Sequence, residues 1–192
     1  MGLAITGTST TRVVSELDVR KHLQLDLIDY GEGGTALIES QIDVATAFIE
    51  QECGITLPAR DYRCTLDGFP AGRTIELPRP PLDEIYEVRY LTPAGDTATL
   101  PASAYLVDAT GKPGRLFLRP GFEWPKTLDV PACVTIEFAA GHETLPPMLR
   151  HAVLMLVGHL YENREATSDR RVNDVPMAVQ SILAMHRFQA VA

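Results

Sequence analysis

The order of periodicities along the chain constrains its fold most. Apolar residues recur at helical spacing near both ends, while the middle alternates with a period of two and is broken by prolines. Pro78, Pro80 and Pro81 lack the N–H that a sheet ladder needs, so Leu77-Pro78-Arg79-Pro80-Pro81-Leu82 reads as a sheet edge or a crossover. The pattern predicts an α+β chain in which N- and C-terminal segments form a helical bundle that carries an inserted small antiparallel β domain. The expected boundaries are an N-terminal arm over 1–13, a discontinuous helical core over 14–58 and 144–190, and a β-rich insertion over 59–143.

The arm is rich in Thr and Gly and is expected to be extended, or ordered only by a partner. Ser15 is a good N-cap, with Asp18 three residues on, and predicts a short helix from Glu16 to about Leu23. Asp26 to Gly34 reads as a loop, and Thr35 as the cap of the next helix. Ile38, Ile42, Ala45, Phe48 and Ile49 then form one apolar stripe, with Glu39, Asp43 and Glu50 off it. Gly54 can take the positive φ that ends such a helix. After Gly141, Thr144 is expected to cap a helix from about Pro147 to Arg164. Met148, Leu149, Ala152 to Val157, Leu160 and Tyr161 cover nearly its whole circumference. A helix apolar all round must be buried on all sides, which neighbouring subunits would achieve most easily in a small domain. Residues 166–175 read as a polar loop. Pro176 opens a last helix whose apolar face is Val179, Ile182, Leu183 and Phe188.

Six or seven short strands are expected in the middle: 62–66, 74–77, 85–91, 98–100, 105–107, 115–118 and 134–138. In the clearest of them, Ile85, Glu87, Arg89 and Leu91 should share one face and Tyr86, Val88 and Tyr90 the other. Such spacing suggests a small antiparallel sheet or barrel.

The chemistry is excluded more than it is indicated. The 192 residues carry 17 basic and 25 acidic side chains, a net charge of -8, which argues against gripping nucleic acid through its phosphates. Cys53, Cys64 and Cys133 form no CxxC pair, so neither a disulfide framework nor a metal site is expected, and no cofactor motif occurs. The start lacks a secretory pattern, and no apolar run approaches the roughly 20 residues that span a bilayer, so the chain is expected to be intracellular. His151 and His159 lie within about 80° of each other on one helix, at a spacing that suits core or interface histidines better than metal ligands. His22 is placed to meet the carbonyls that close the first helix. Glu162-Asn163-Arg164-Glu165 reads as a polar helix end with intersubunit salt bridges. Trp124 is either a docking anchor or a plug closing one end of the β domain. The alternative to a structural role is a small enzyme using His142 or Glu162 in a pocket between helices and sheet.

Several segments resemble the head–tail connector proteins (adaptor or head-completion proteins) of long-tailed double-stranded DNA phages and gene transfer agents. Val14 to Leu23 is similar to the family's opening helix with its Lys/Arg-x-His-Leu ending. Ala36-Leu37-Ile38-Glu39, Gly54-Ile55-Thr56-Leu57, Leu77 to Leu91, Gly121 to Pro125, Ala139-Ala140-Gly141, Leu145-Pro146, Tyr161 to Ala166 and Val175-Pro176 follow in the family's order. The likeness covers about Val14 to Phe188 and omits the arm and the Arg170-Arg171 loop. It implies a ring, usually of twelve copies, made in the bacterial cytoplasm and docked beneath the portal protein. A stopper or other tail-proximal protein would lie below it. DNA would pass through a channel without specific binding, and no enzymatic reaction, cofactor or membrane is implied. An acidic wall would let DNA pass without sticking. The long helix is then expected at subunit contacts and the last helix and tail at the portal. Leu156, Leu160, Tyr161, Glu162, Arg164, Phe188 and Trp124 are the candidate contact residues.

Overall fold

A computed structural model describes residues 1–7, 12–25, 31–163 and 175–188, with the side chains of 31–33 set aside. The chain divides into two compact units, one holding residues 12–25, 31–58, 143–163 and 175–188, the other residues 1–7 and 59–142. The first unit contains four α-helices: α1 (Glu16–His22), α2 (Gly31–Cys53), α3 (Pro147–Glu162) and α4 (Met177–His186). The second contains eight antiparallel strands, so the chain is α+β.

In the helical unit, α1 begins with a complete capping box. The Ser15 hydroxyl accepts the Asp18 N–H, and the Asp18 carboxylate accepts the Ser15 N–H, each at 3.1 Å. The Ser15 bond, then Arg150, holds the Asp18 carboxyl below its usual range, and Arg150 reaches it from α3 at 2.8 Å. The stripe on α2 is as expected: Ile38, Ile42, Ala45 and Ile49 are buried. Two expectations for this helix need correction. It begins at Gly31 rather than after a loop through Gly34, and residues 26–30 lie outside those described. Thr35 is inside the helix, not its cap, because its hydroxyl donates instead to Glu16 on α1 at 3.0 Å. Glu50, off the stripe, is nonetheless buried, and its carboxylate accepts the Leu57 N–H at 2.9 Å just beyond the helix end. Gly54 has φ +67° and ends α2 as expected, and the Phe188 N–H returns from the end of α4 to the Cys53 carbonyl at 2.7 Å.

Helix α3 starts after Pro146, with Pro147 in its first turn, where a missing N–H costs nothing; Thr144 does not cap it. Leu149, Ala152, Val153, Leu154, Leu156, Val157 and Gly158 are buried. Their cover comes from the same chain: Val19 of α1, the α2 stripe, Ile55, Leu57, and Val179 and Leu183 of α4 belong to one apolar cluster with them. The expectation that this helix needs neighbouring copies for shelter therefore fails. The other three helices of the same chain bury it, and only its first-turn Met148 is a strongly exposed large apolar residue.

The strands are β1 (Gly2–Gly7), β2 (Arg60–Leu66), β3 (Thr74–Leu77), β4 (Leu82–Leu91), β5 (Thr97–Thr99), β6 (Tyr105–Asp108), β7 (Gly114–Leu118) and β8 (Val134–Ala140), with a 3-10 turn at Ala102–Ala104. They form a five-stranded sheet in the order β1-β2-β8-β4-β5 and a three-stranded sheet in the order β3-β7-β6. The proline segment is the crossover between the two sheets. Tyr62, Cys64, Val88, Val134, Ile136 and Phe138 from the larger sheet share one core with Ile75, Leu77, Leu116 and Tyr105 from the smaller. Tyr62 stacks on Phe138 across the β2–β8 pair, with centroids 5.6 Å apart. Gly114 starts β7 against Leu82, whose side chain occupies the space a Cβ would need.

Two features of this unit also differ from expectation. The N-terminal arm is a strand: β1 pairs antiparallel with β2, Leu3 opposite Cys64 and Ile5 opposite Tyr62. Simple alternation fails in β4, where Leu82, Ile85 and Val88 are the buried residues. The register against β8 shifts at Leu82/Glu84 and again at Ile85/Glu87. Each shift adds a residue and exchanges the faces, which puts Ile85 and Val88 on the same side.

Leu156→Asp is expected to destabilise the helical unit by about 3–5 kcal/mol, since it removes a buried side chain and buries an unpaired charge. Thermal unfolding followed by circular dichroism at 222 nm checks this. The loss should be independent of protein concentration; a variant melting like the parent would contradict the placement of α3.

Candidate assembly surfaces

The candidate contact residues fall into different environments. Leu156 is 5% exposed and packs inside its own chain, so it is corrected from a contact residue to a core residue. Leu160 and Tyr161, one turn on, are half-buried at the edge of the same cluster. Glu162 is exposed at the end of α3. Arg164 lies outside the described residues, as do Glu165, the 166–174 segment and the Arg170-Arg171 pair. Phe188 is half-buried and packs beside Gly54, which ties the end of α4 to the end of α2.

Trp124 lies in the strand-bearing unit. Its indole stacks on Phe69 with centroids 4.7 Å apart and planes 6° from parallel, and its Nε1 donates to the Gly72 carbonyl at 2.7 Å. Phe69 in turn meets Tyr90 edge-on. The half-buried ring packs against the strand core with its polar atom satisfied by its own chain, an arrangement that suits the plug reading.

A shallow cavity of about 370 Å³ beside α1 and α3 is lined by His22, Leu23, Gln24, Met155, Gly158, His159, Glu162 and Pro176. It contains no nucleophilic Ser or Cys. The Asn163 side chain donates to the His159 carbonyl at 2.8 Å and lies 3.2 Å from its Nδ1, which closes the helix. His22 and His151 meet edge to face at 6.0 Å. His142, the other residue of the enzyme alternative, belongs to the strand-bearing unit, not to this cavity. Among the described residues no group of three or more His, Cys, Asp or Glu is arranged to hold a metal ion. The three cysteines are buried as free thiols; burial pushes Cys64 up to about 11 and also raises Cys53, which disfavours the reactive thiolate.

The surface of the strand-bearing unit has two characters. Across the larger sheet, Glu137 accepts from Arg63 on β2 at 2.8 Å and from Arg89 on β4 at 2.6 Å, and Arg89 also meets Glu87. Nearby, Tyr86 donates to Asp61 at 2.8 Å, and that bond, with burial and adjacent acids, pushes its phenol up to about 12. These are solvated, mutually satisfied charges. The other character is apolar. Leu3 and Ile5 on β1 are 40% and 53% exposed although they lie in register with buried Cys64 and Tyr62. Leu106 and Val107 on β6 are 44% and 43% exposed, beside Phe117 on β7. These last three line a cavity of about 470 Å³ with Thr74, Asp108 and Arg115. The sequence reading missed both strips. The signal was present for β1, because Leu3 and Ile5 alternate with Ala4 and Thr6.

No family model matches the chain, and no curated protein does. Solved structures do. The chain superposes on a chain from the neck of an empty gene transfer agent particle computed with C6 symmetry, with TM-score 0.80 and 23% identity, covering 100% of this chain and 98% of that one. It has the fold of a gene transfer agent neck chain. A chain from the virion of a native gene transfer agent particle matches with the same values. One from the neck of the native particle computed with C12 symmetry gives TM-score 0.77 at 22% identity, again over 100% and 98% of the two chains. At these identities the likeness establishes the fold.

Trp124→Ala is expected to lower the stability of the strand-bearing unit by about 2 kcal/mol, and Trp124→Phe by about 1, since the latter keeps the stacking and loses the hydrogen bond. Chemical denaturation monitored by circular dichroism checks this order. An unchanged midpoint in Trp124→Ala would instead mark the indole as a docking group.

Proposed function

We propose that this chain is a structural subunit of the neck of a phage-like particle, a head–tail connector that assembles as a ring. The observation that carries the reading is the superposition over the full chain on neck chains of gene transfer agent particles. A shared domain on an unrelated protein would match only in part; here both units are matched in one pass. The C6 and C12 symmetries of those necks support a ring, and twelve copies fit both operators. Such a ring sits between the portal protein and a stopper or tail-proximal protein and leaves an axial channel for DNA. It is built in the bacterial cytoplasm and needs no membrane anchor; no helix among the described residues is long and apolar enough to cross a bilayer.

The charge distribution suits that role. The acid excess is concentrated in the helical part of the sequence, with 14 acidic against 8 basic residues over 10–58 and 143–189, and 11 against 9 over 1–9 and 59–142. A surplus of carboxylates repels phosphates and keeps a passing duplex from binding. The role requires no catalytic group. It requires a self-contained subunit with surfaces left for neighbours, and α3 and the strand sandwich supply the first.

Deletion of the gene is expected to yield DNA-filled heads and separate tails that do not join, with reconstruction of the complemented particles placing the chain at the neck as a ring. Normal particles from the deletion strain, or density for the chain elsewhere in them, would overturn the reading.

A further inference from the structure

A sheet edge exposes unpaired N–H and C=O groups, and natural proteins protect it with charge, proline, brevity or cover. The strand-bearing unit has four such edges: β1 and β5 in the larger sheet, β3 and β6 in the smaller. Two are protected. The three residues of β5 are Thr-Ala-Thr, with Pro93 before and Pro101 after. The β3 edge exposes Glu76 and runs directly into Pro78, Pro80 and Pro81.

The other two edges lack these devices. The six residues of β1 are Gly-Leu-Ala-Ile-Thr-Gly, with no charge and no proline, and it pairs on one side only, with β2. Its Leu3 and Ile5 continue the core face of the sheet past the point where the chain covers it. The β6 edge, Tyr-Leu-Val-Asp, pairs only with β7 and has one charge, at its end. It exposes Leu106 and Val107 next to the cavity that reaches Phe117. Among the described residues neither edge has a second strand beside it.

A rotational ring is closed by a head-to-tail contact, in which each copy offers two different surfaces, one to each neighbour. Among the described residues the unit presents two unprotected apolar edges. Resting on the neck-subunit reading, we propose that β1 of one copy lies along β6 of the next, adding a strand to its three-stranded sheet and setting Leu3 and Ile5 beside Val107, which shares the face of buried Leu116, while Leu106 and Phe117 lie on the other face. The occupant of each edge is thus a second copy of this chain. Strand addition supplies backbone hydrogen bonds, and the alternate apolar side chains fix the register.

The test places p-benzoylphenylalanine at position 5 in the chain as it is built into particles, with isotopically light and heavy copies mixed. Irradiation should convert the monomer band on a denaturing gel into dimers and a higher ladder. The cross-linked peptides should join position 5 to residues 105–108 of a copy carrying the other isotope. The same group at position 107 should reach residues 2–7. Both positions are exposed, so the replacements leave the core intact. Cross-links to another neck protein, to a different segment, or only within one copy would overturn this inference while leaving the chain in the neck. Absence of the chain from purified particles would overturn both this inference and the proposed function.

Discussion

Everything in the helical unit depends on the burial of α3. A segment with apolar residues around nearly its full circumference cannot stand at a surface, and here α1, α2 and α4 of the same chain enclose it. The polar details follow from that enclosure. Arg150 on its solvent side pairs with Asp18, whose capping box starts α1. Glu50 turns inward to satisfy the backbone at Leu57, where α2 ends against the cluster. The Phe188 N–H closes on Cys53, and Arg187 meets Glu52 at 2.5 Å, so α4 is held at its end as well as along its face.

A core completed within one copy changes where assembly contacts must be sought. Leu156 of α3 is buried inside its own chain, and among the apolar residues left exposed are Leu3 and Ile5 on β1 and Leu106 and Val107 on β6. A net charge of -8 opposes loose association, and pairing of such strand edges requires them to meet in the right register. Neck chains at 22–23% identity keep the same fold over their whole length, as expected when apolar pattern and backbone pairing carry the architecture.

The helical ends were legible because their signals are local. Ser15 with Asp18, the Ile38–Ile49 stripe, Gly54 and Pro176 each act within a turn or two of the residues they organise. Most strands of the middle were legible from alternation and turn residues for the same reason. What escaped depends on contacts distant in sequence. Residues 2–7 read as an extended or partner-ordered Thr/Gly arm, and the pairing partner, β2, lies nearly 60 positions later. The faces of β4 depend on two register shifts against β8 that alternation cannot show. The Thr35 hydroxyl is engaged by Glu16 on another helix rather than by the backbone of α2. For α3 the composition was read correctly and the cover was assigned wrongly, because periodicity tells how much of a helix is buried and never by whom. Of the candidate contacts, Glu162 was legible as an exposed polar helix end, whereas the apolar edges at β1 and β6 needed the sheet order to be recognised.

The most direct measurement is backbone hydrogen exchange on the isolated chain, at a concentration where it is monomeric. The account predicts that the amides of α3 exchange slowest in the helical unit, as expected of a core element, while the unpaired N–H groups on the outer edges of β1 and β6 exchange fast. Rapid exchange throughout α3 in the lone chain would contradict it, because that helix would then depend on neighbours for its shelter.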